Sequence, residues 1–506
     1  MMWTTSSLPQ RRIASHALHR VLRCTKPLQL IQSKSLLSVS SCFDSRRCSR
    51  FHGTLAKGAR DHPWRQFQRL QEFFKTGQIC VIDGANGTEI QRRGGRPAET
   101  FSSGTAPLAR PDLCKEIHEV YLHAGADIII TNSYSANRNV MSPSGNGNRV
   151  EECIISAAAI ARRAALNHVA EHASNLAHAA SNIVSSASLS VAAASRSAAR
   201  ASTSHATNLG AYASAEAALD STRLAVEAVT ETMHAMQEVH ACAAAANAAA
   251  EAALAASEGE PLPEAVPPVV PPAPIRTQGW DSAGFGPPLI VGSLSTHPPE
   301  MRGGGYTSTD AIWPDPEDEE RNYFEAAQAH RLSGVDMLWL EMMKDHEHAP
   351  RAVKAAASSG LPVFMGISGR LDPATGKPVL WGTGEDAFPL TPEWFHGLAD
   401  ILGESLVGVN VMHTNFTCMP HVLRFVREDC GWKGPLGAYP DHGVFKAPEW
   451  VFAELDTVEA MQLVHEWISD YNIQLVGGCC GLGPEYITSL SAAMRAHNAA
   501  VRRKNE

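Results

Sequence analysis

The stretch Ile473-Gln474-Leu475-Val476-Gly477-Gly478-Cys479-Cys480-Gly481-Leu482-Gly483-Pro484 decides how the chain reads. It opens as a short apolar run, which predicts a buried strand. It then turns on glycines. Pro484 takes the first-turn position that proline favours, opening a helix over Glu485 to Ala496. Two adjacent cysteines therefore lie where a strand has ended and a helix has not begun. Glycines on both sides let the backbone approach a ligand closely. Thiolates bind zinc well, so a strand end carrying two of them is a candidate metal site. The alternative is a pair of buried cysteines acting as small apolar residues. A disulfide between neighbours would be strained, so reduced thiols or metal ligands are expected.

Outward from this stretch the same unit repeats. Apolar runs predict strands at Ile79–Asp83, Asp127–Thr131, Pro288–Ser293, Asp336–Glu341, Pro362–Ser368, Leu406–His413 and Pro435–Pro440. Helical patterns follow at 111–124 (with Gly125 as its stop), 149–166, 316–332, 346–358, 391–402, 419–428 and 457–471. One more helix, near Trp64–Lys75, precedes the first strand. Strands alternating with helices argue for parallel βα units. Eight such units predict an α/β fold of the (β/α)8 TIM-barrel type. An open doubly wound sheet is the alternative. In a barrel the residues after each strand gather on one face. That face would collect Asp83 with Asn86, Asn132, Ser293, Glu341, Asn410 with His413, Asp441 with His442, and Cys479 with Cys480.

These segments resemble the homocysteine S-methyltransferase family. Asp83-Gly84-Ala85-Asn86-Gly87-Thr88-Glu89 is similar to its opening DGAMGT-type loop, and Ala124 to Tyr134 to its AGADIITTNTF segment. Val291-Gly292-Ser293-Leu294 and Gly334 to Glu341 resemble its third and fourth strands. Gly477-Gly478-Cys479-Cys480-Gly481 matches its GGCCG. The resemblance covers most of 78–166 and 288–497, in order. It implies a zinc-containing barrel that methylates the thiol of homocysteine to give methionine. It further implies Cys479 and Cys480 as metal ligands, with Glu341 and Asp83 as the working carboxylates. Glu341 would hold the substrate ammonium, and the loop from Gly84 to Thr88 would receive its carboxylate. Asn132 and Asn410 would line the substrate site. A rim salt bridge for Glu341 and a loop-capping role for Asp83 are the plainer readings.

One departure matters. The family takes a third cysteine from strand six, in a GVNC-type motif, but here the strand reads Gly408-Val409-Asn410-Val411-Met412-His413. Val411 stands at the cysteine position and cannot bind metal. His413 lies two residues on, and in a regular strand i and i+2 share a face. His413 is therefore the candidate third ligand, and a cysteine placed at 411 would restore the family's thiolate. His442 and Cys418 are the other candidates. The substituted cysteine also leaves a second reading open: a catalytically silent paralogue that binds an amino acid or a partner protein. The methyl donor stays open among S-methylmethionine, a betaine and a folate-linked methyl.

The rest of the chain is different material. Residues 1–60 hold eleven Lys and Arg and one acid, Asp44, leaving 32 bases against 51 acids in the remainder. An acidic body argues against nucleic acid as a partner. An Arg- and Ser-rich, acid-poor start without a long apolar core predicts a transit peptide over 1–60, mitochondrial or alternatively plastid. No run of about 18 apolar residues exists, so no membrane-spanning helix is expected. Eleven cysteines are scattered without a secreted disulfide framework. From about 167 to 287 the chain is dominated by Ala, then by Pro. It lacks large apolar faces, and we read it as a low-complexity insertion, either disordered or a loosely attached helical arm. The barrel then comprises 61–166 and 288–506. The expected small-molecule partners are homocysteine and a methyl donor.

Overall fold

Eight parallel strands close on themselves. A computed structural model describes residues 57–95, 104–172, 174, 287–299, 312–380, 388–446, 449–451 and 455–505. The expected transit segment, apart from 57–60, and most of the expected insertion lie outside the described residues. The strands are β1 (Cys80–Val81), β2 (Ile128–Ile130), β3 (Leu289–Ser295), β4 (Met337–Met343), β5 (Val363–Ile367), β6 (Leu406–Asn415), β7 (Leu436–Asp441) and β8 (Leu475–Val476). Each pairs in parallel with its sequence neighbours, and β8 pairs with β1. The ring closes between β1 and β2 through a parallel bridge from Ile82 to Ile128. All eight expected strands are present, and the open sheet is excluded.

The principal helices are α1 (Lys57–Lys75), α2 (Pro111–Ala124), α3 (150–172), α4 (Pro316–Ser333), α5 (His348–Ser358), α6 (Pro392–Leu402), α7 (Met419–Arg424, continued by a π turn over Phe425–Asp429), α8 (Thr457–Tyr471) and α9 (Pro484–Asn505). Their ends follow local chemistry. Asp315 caps α4 by accepting from the Asp318 amide, Pro316 takes the first position, and three acids fill the first turn. Gly334, at φ +72°, ends it in the left-handed conformation glycine tolerates. Helix α3 runs to 172, past the expected boundary at 166, with Val169 buried.

Alternation along each strand divides the core in two. Ile129, Ile290, Leu338, Leu340, Met365, Val409, Val411 and Ala438 point outward and pack with the helices. Ile128, Ile130, Val291, Met337, Trp339, Phe364, Met412, Tyr439 and Leu475 point inward. Inside the barrel Trp339 stacks on Phe364, with ring centroids 4.8 Å apart. Phe67, Leu70 and Phe73 of α1 join the inward set, so α1 plugs the barrel. Burying one such side chain stabilises the fold by about 1.5–3 kcal/mol. Two more contacts hold α1: Trp64 Nε1 donates to the Gly360 carbonyl (3.2 Å) and Arg69 to the Pro287 carbonyl (2.6 Å). The plug leaves the opposite end, at the carboxyl ends of the strands, to carry the site.

Candidate metal centre

The loop after β8 is stitched in place by backbone bonds. Gly478 N–H donates to the Asp83 carbonyl (3.3 Å), Cys479 N–H to Pro440 (2.7 Å) and His442 N–H to Cys480 (2.8 Å). Gly481, at φ +84°, makes the turn that side-chain-bearing residues resist. Both cysteines are thereby fixed over the barrel mouth.

His413 reaches them by an irregularity. Between Met412, opposite Tyr439, and Asn415, opposite Asp441, β6 carries one residue more than β7. Such a bulge re-aims side chains. His413 sits there at φ +45°, a strained value for a residue with a side chain. The expected geometry is corrected here: Val411 and His413 do not share a side. Val411 is fully buried among outward residues, whereas the bulge turns His413 to the cysteines. Met342 of β4, at φ +62°, accompanies a second register shift at the same mouth.

The ligand atoms of His413, Cys479 and Cys480 all lie within 4.8 Å of one another. Cys479 Sγ is 3.5 Å from His413 Nδ1 and 3.8 Å from Cys480 Sγ. In a tetrahedral site, zinc–sulfur bonds of about 2.3 Å and zinc–nitrogen bonds of about 2.0–2.1 Å put ligand atoms roughly 3.5–3.8 Å apart. The two edges that meet at Cys479 match these values, so this donor set fits zinc. His442 and Cys418 are not members of the cluster. His442 contributes its backbone amide, and Cys418 is a buried thiol preceding α7.

The Cys479 thiol donates to Cys480, which raises the Cys479 pKa well above the usual thiol value and lowers that of Cys480 to about 6, with His413 helping. Burial opposes charge on His413, but Cys480 and Asp441 outweigh it and its pKa is raised. Asp441 Oδ2 lies 3.7 Å from His413 Nδ1. Burial raises the Asp441 pKa, against the pull of His413.

Glu341 lies on β4, buried, accepting a hydrogen bond from Ser293 Oγ. Burial raises its pKa to about 7, Ser293 opposes this, and Cys480 adds to it. A carboxylate so placed gains from a cationic partner. Asp83 is buried: Oδ2 accepts from the Ile130 amide (3.0 Å) and Asn86 Nδ2 (3.4 Å), tying β1 to β2. Its Oδ1 has no hydrogen-bond partner among the described residues, and burial raises its pKa strongly. Asn410 is fully buried inside the barrel, with both amide atoms unpartnered among the described residues. Asn132 is half-buried just past β2.

Gly84 and Thr88 have structural surroundings. A Cβ on Gly84 would stand 2.5 Å from the Leu482 carbonyl and 2.6 Å from the Tyr121 ring. Thr88 is buried with its hydroxyl 3.4 Å from the Ala85 carbonyl, in a short helix, Asn86–Arg92. Sequence reasoning missed Lys344, buried just past β4, whose pKa burial lowers to about 8. Its signal was a lysine directly after an apolar strand.

The sequence model of the homocysteine S-methyltransferase family matches residues 80–263 and 235–494. The chain belongs to that family. It is 40% identical over 62 residues to homocysteine S-methyltransferase 1 of Zea mays, covering 12% of this chain and 19% of that protein. It is 33% identical over 97 residues to homocysteine S-methyltransferase YbgG of Bacillus subtilis, covering 18% and 31%. A selenocysteine methyltransferase of Astragalus bisulcatus is 44% identical over 62 residues, covering 12% and 18%. The matched stretches thus span less than a third of these curated relatives. Among solved structures, the metallated homocysteine methyltransferase MmuM of Escherichia coli aligns with 84% of this chain and 99% of its own, at 16% identity and a TM-score of 0.44.

Proposed function

We propose that this family member transfers a methyl group to the thiol of homocysteine, or of a close thiol analogue, at a zinc site made by His413, Cys479 and Cys480, giving methionine in the homocysteine case. The observation that carries the reading is the spacing of those three ligand atoms at the mouth of a barrel whose other end is plugged. Zinc held there would favour the thiolate form of a thiol whose free pKa is about 8.5. The chain's own residues do the rest. Glu341, buried and short of a cation, binds the substrate ammonium and fixes which way the thiol points. Asp83 and Asn86 hold the β1 loop against β2 and shape the wall. Asn410 offers an unpartnered amide from the barrel interior. Burial of the site excludes water that would compete for the methyl group. The segment 1–60, rich in Arg and nearly free of acids, supports an organellar and foremost mitochondrial location.

The test is direct. Protein purified under reducing conditions with zinc supplied should hold one metal per chain. It should form methionine from homocysteine with at least one donor of a panel comprising S-methylmethionine, a betaine and a methylated folate. Stoichiometric zinc with no thiol methylated would refute the activity. Absence of bound zinc would refute the site.

A further inference from the structure

The centre has an imidazole where the resemblance implied a third thiolate, and so one negative charge fewer around a divalent ion. The chain carries an anion beside it. Asp441, the last residue of β7, is buried, and its Oδ2 stands 3.7 Å from His413 Nδ1. That is the nitrogen that faces Cys479 Sγ. The distance is too long for a hydrogen bond. The other oxygen, Oδ1, is buried and has no hydrogen-bond partner among the described residues. Among these residues, His413 is the basic group within ion-pair distance of the carboxylate.

A buried carboxylate needs a cation near it. An imidazole that gives its Nδ1 lone pair to a metal is neutral and cannot be that cation. The metal can. Resting on the zinc site proposed above, we infer that Asp441 is the compensating anion of the His413–Cys479–Cys480 centre: two thiolates and this carboxylate restore the charge that three thiolates would give. The other titratable groups in the field of this cluster are Glu341, Lys344 and His442; Glu341 and Lys344 have opposite signs, and His442, next to Asp441 in the chain, favours the charged carboxylate. Asp441 thus acts through the centre rather than on the substrate. A centre without it is less negative. It holds metal more weakly, binds the incoming thiol more tightly and makes it a poorer nucleophile.

The experiment is a double-substitution cycle on the full chain. Zinc affinity is read by competition with a chromophoric chelator, homocysteine binding by calorimetry on zinc-saturated protein, and turnover separately. Asp441→Asn keeps shape and removes charge. It should weaken zinc by about 10- to 100-fold, the usual effect of losing a partner outside the ligand shell. It should also lower both the homocysteine Kd and kcat. In the His413→Cys background, where a third thiolate supplies the charge, Asp441→Asn should cost little zinc affinity or improve it. Equal losses in both backgrounds would make Asp441 a packing residue and overturn the inference. So would no loss in the parent background. A parent chain that takes up no zinc would instead refute the metal site itself, a result distinct from a zinc-loaded parent indifferent to Asp441→Asn.

Discussion

Moving a thiol to position 411 does not rebuild the metal site. Val411 lies in the regular part of β6, fully buried among outward residues, while the bulge brings His413 round to the cysteines. His413→Ala removes one of the three proposed protein ligands. Structural zinc sites are worth roughly 10–16 kcal/mol for four ligands, so one ligand carries about 2.5–4 kcal/mol. At 1.4 kcal/mol per decade that is roughly a 10²- to 10³-fold loss of affinity. Adding Val411→Cys should recover none of it, and should cost about 1 kcal/mol or less of stability through a slightly smaller buried side chain. His413→Cys, by contrast, places a thiol on the bulge and should keep zinc bound. Chelator competition under reducing conditions, with a thermal melt of each metal-free variant, measures both effects. Recovery of affinity by Val411→Cys in the His413→Ala background would show that position 411 faces the mouth and that the bulge reasoning is wrong.

Further outcomes are expected. Cys479→Ser and Cys480→Ser should each lose metal, read by elemental analysis after dialysis; full occupancy in both would exclude the cysteine pair as ligands. Glu341, with a pKa of about 7 in the fold against an ordinary value of 4.5, binds its proton more tightly folded than unfolded. Its contribution is therefore present below about pH 4.5 and is lost as pH rises through 7, up to roughly 3 kcal/mol. Glu341→Gln should flatten that slope in metal-free protein, and an unchanged slope in urea titrations across pH 4.5 to 8 would reject the assignment. Leu70→Ala in the plug should destabilise the barrel by about 2–5 kcal/mol in denaturant titration, whereas a change near zero would mean α1 is detachable. Replacing 175–286 with a short Gly/Ser linker, while keeping α3 and Pro287, should leave the thermal midpoint nearly unchanged; loss of soluble protein would show that the segment supports the fold.

The barrel was readable because its signal is repeated. Each strand is a short apolar run bounded by turn residues, and each helix has a start or stop signal such as Asp315-Pro316 or Gly334. The carboxyl-end rule then placed Glu341, Asp441 and Cys479 together without any knowledge of contacts. The reading failed where period-two reasoning fails. Nothing in Val411-Met412-His413 marks an extra residue, since neither Met412 nor His413 is a glycine that would announce a positive φ. The loop from Gly84 to Thr88 is ambiguous in sequence for another reason. A glycine needed for close approach looks the same in sequence whether a ligand or the Tyr121 ring approaches. A helix near Trp64–Lys75 was expected, but periodicity cannot say what a helix face will cover. The hairpin pairing Gly369–Leu371 with Pro378–Leu380 was too short to rise above its loop.

The plug formed by α1 sets a limit on how the chain can be shortened. Phe67, Leu70 and Phe73 belong to the barrel core as the inward strand residues do, half-buried Trp64 packs against them, and Arg69 fastens the backbone at Pro287, where the chain enters β3. Any N-terminal truncation that keeps the fold should therefore stop before Trp64. A cut a single helical turn further in would leave the floor of the barrel open to water while His413, Cys479 and Cys480 stayed in place. A chain cut there would betray itself first as a folding defect, at the end of the core opposite the candidate metal centre.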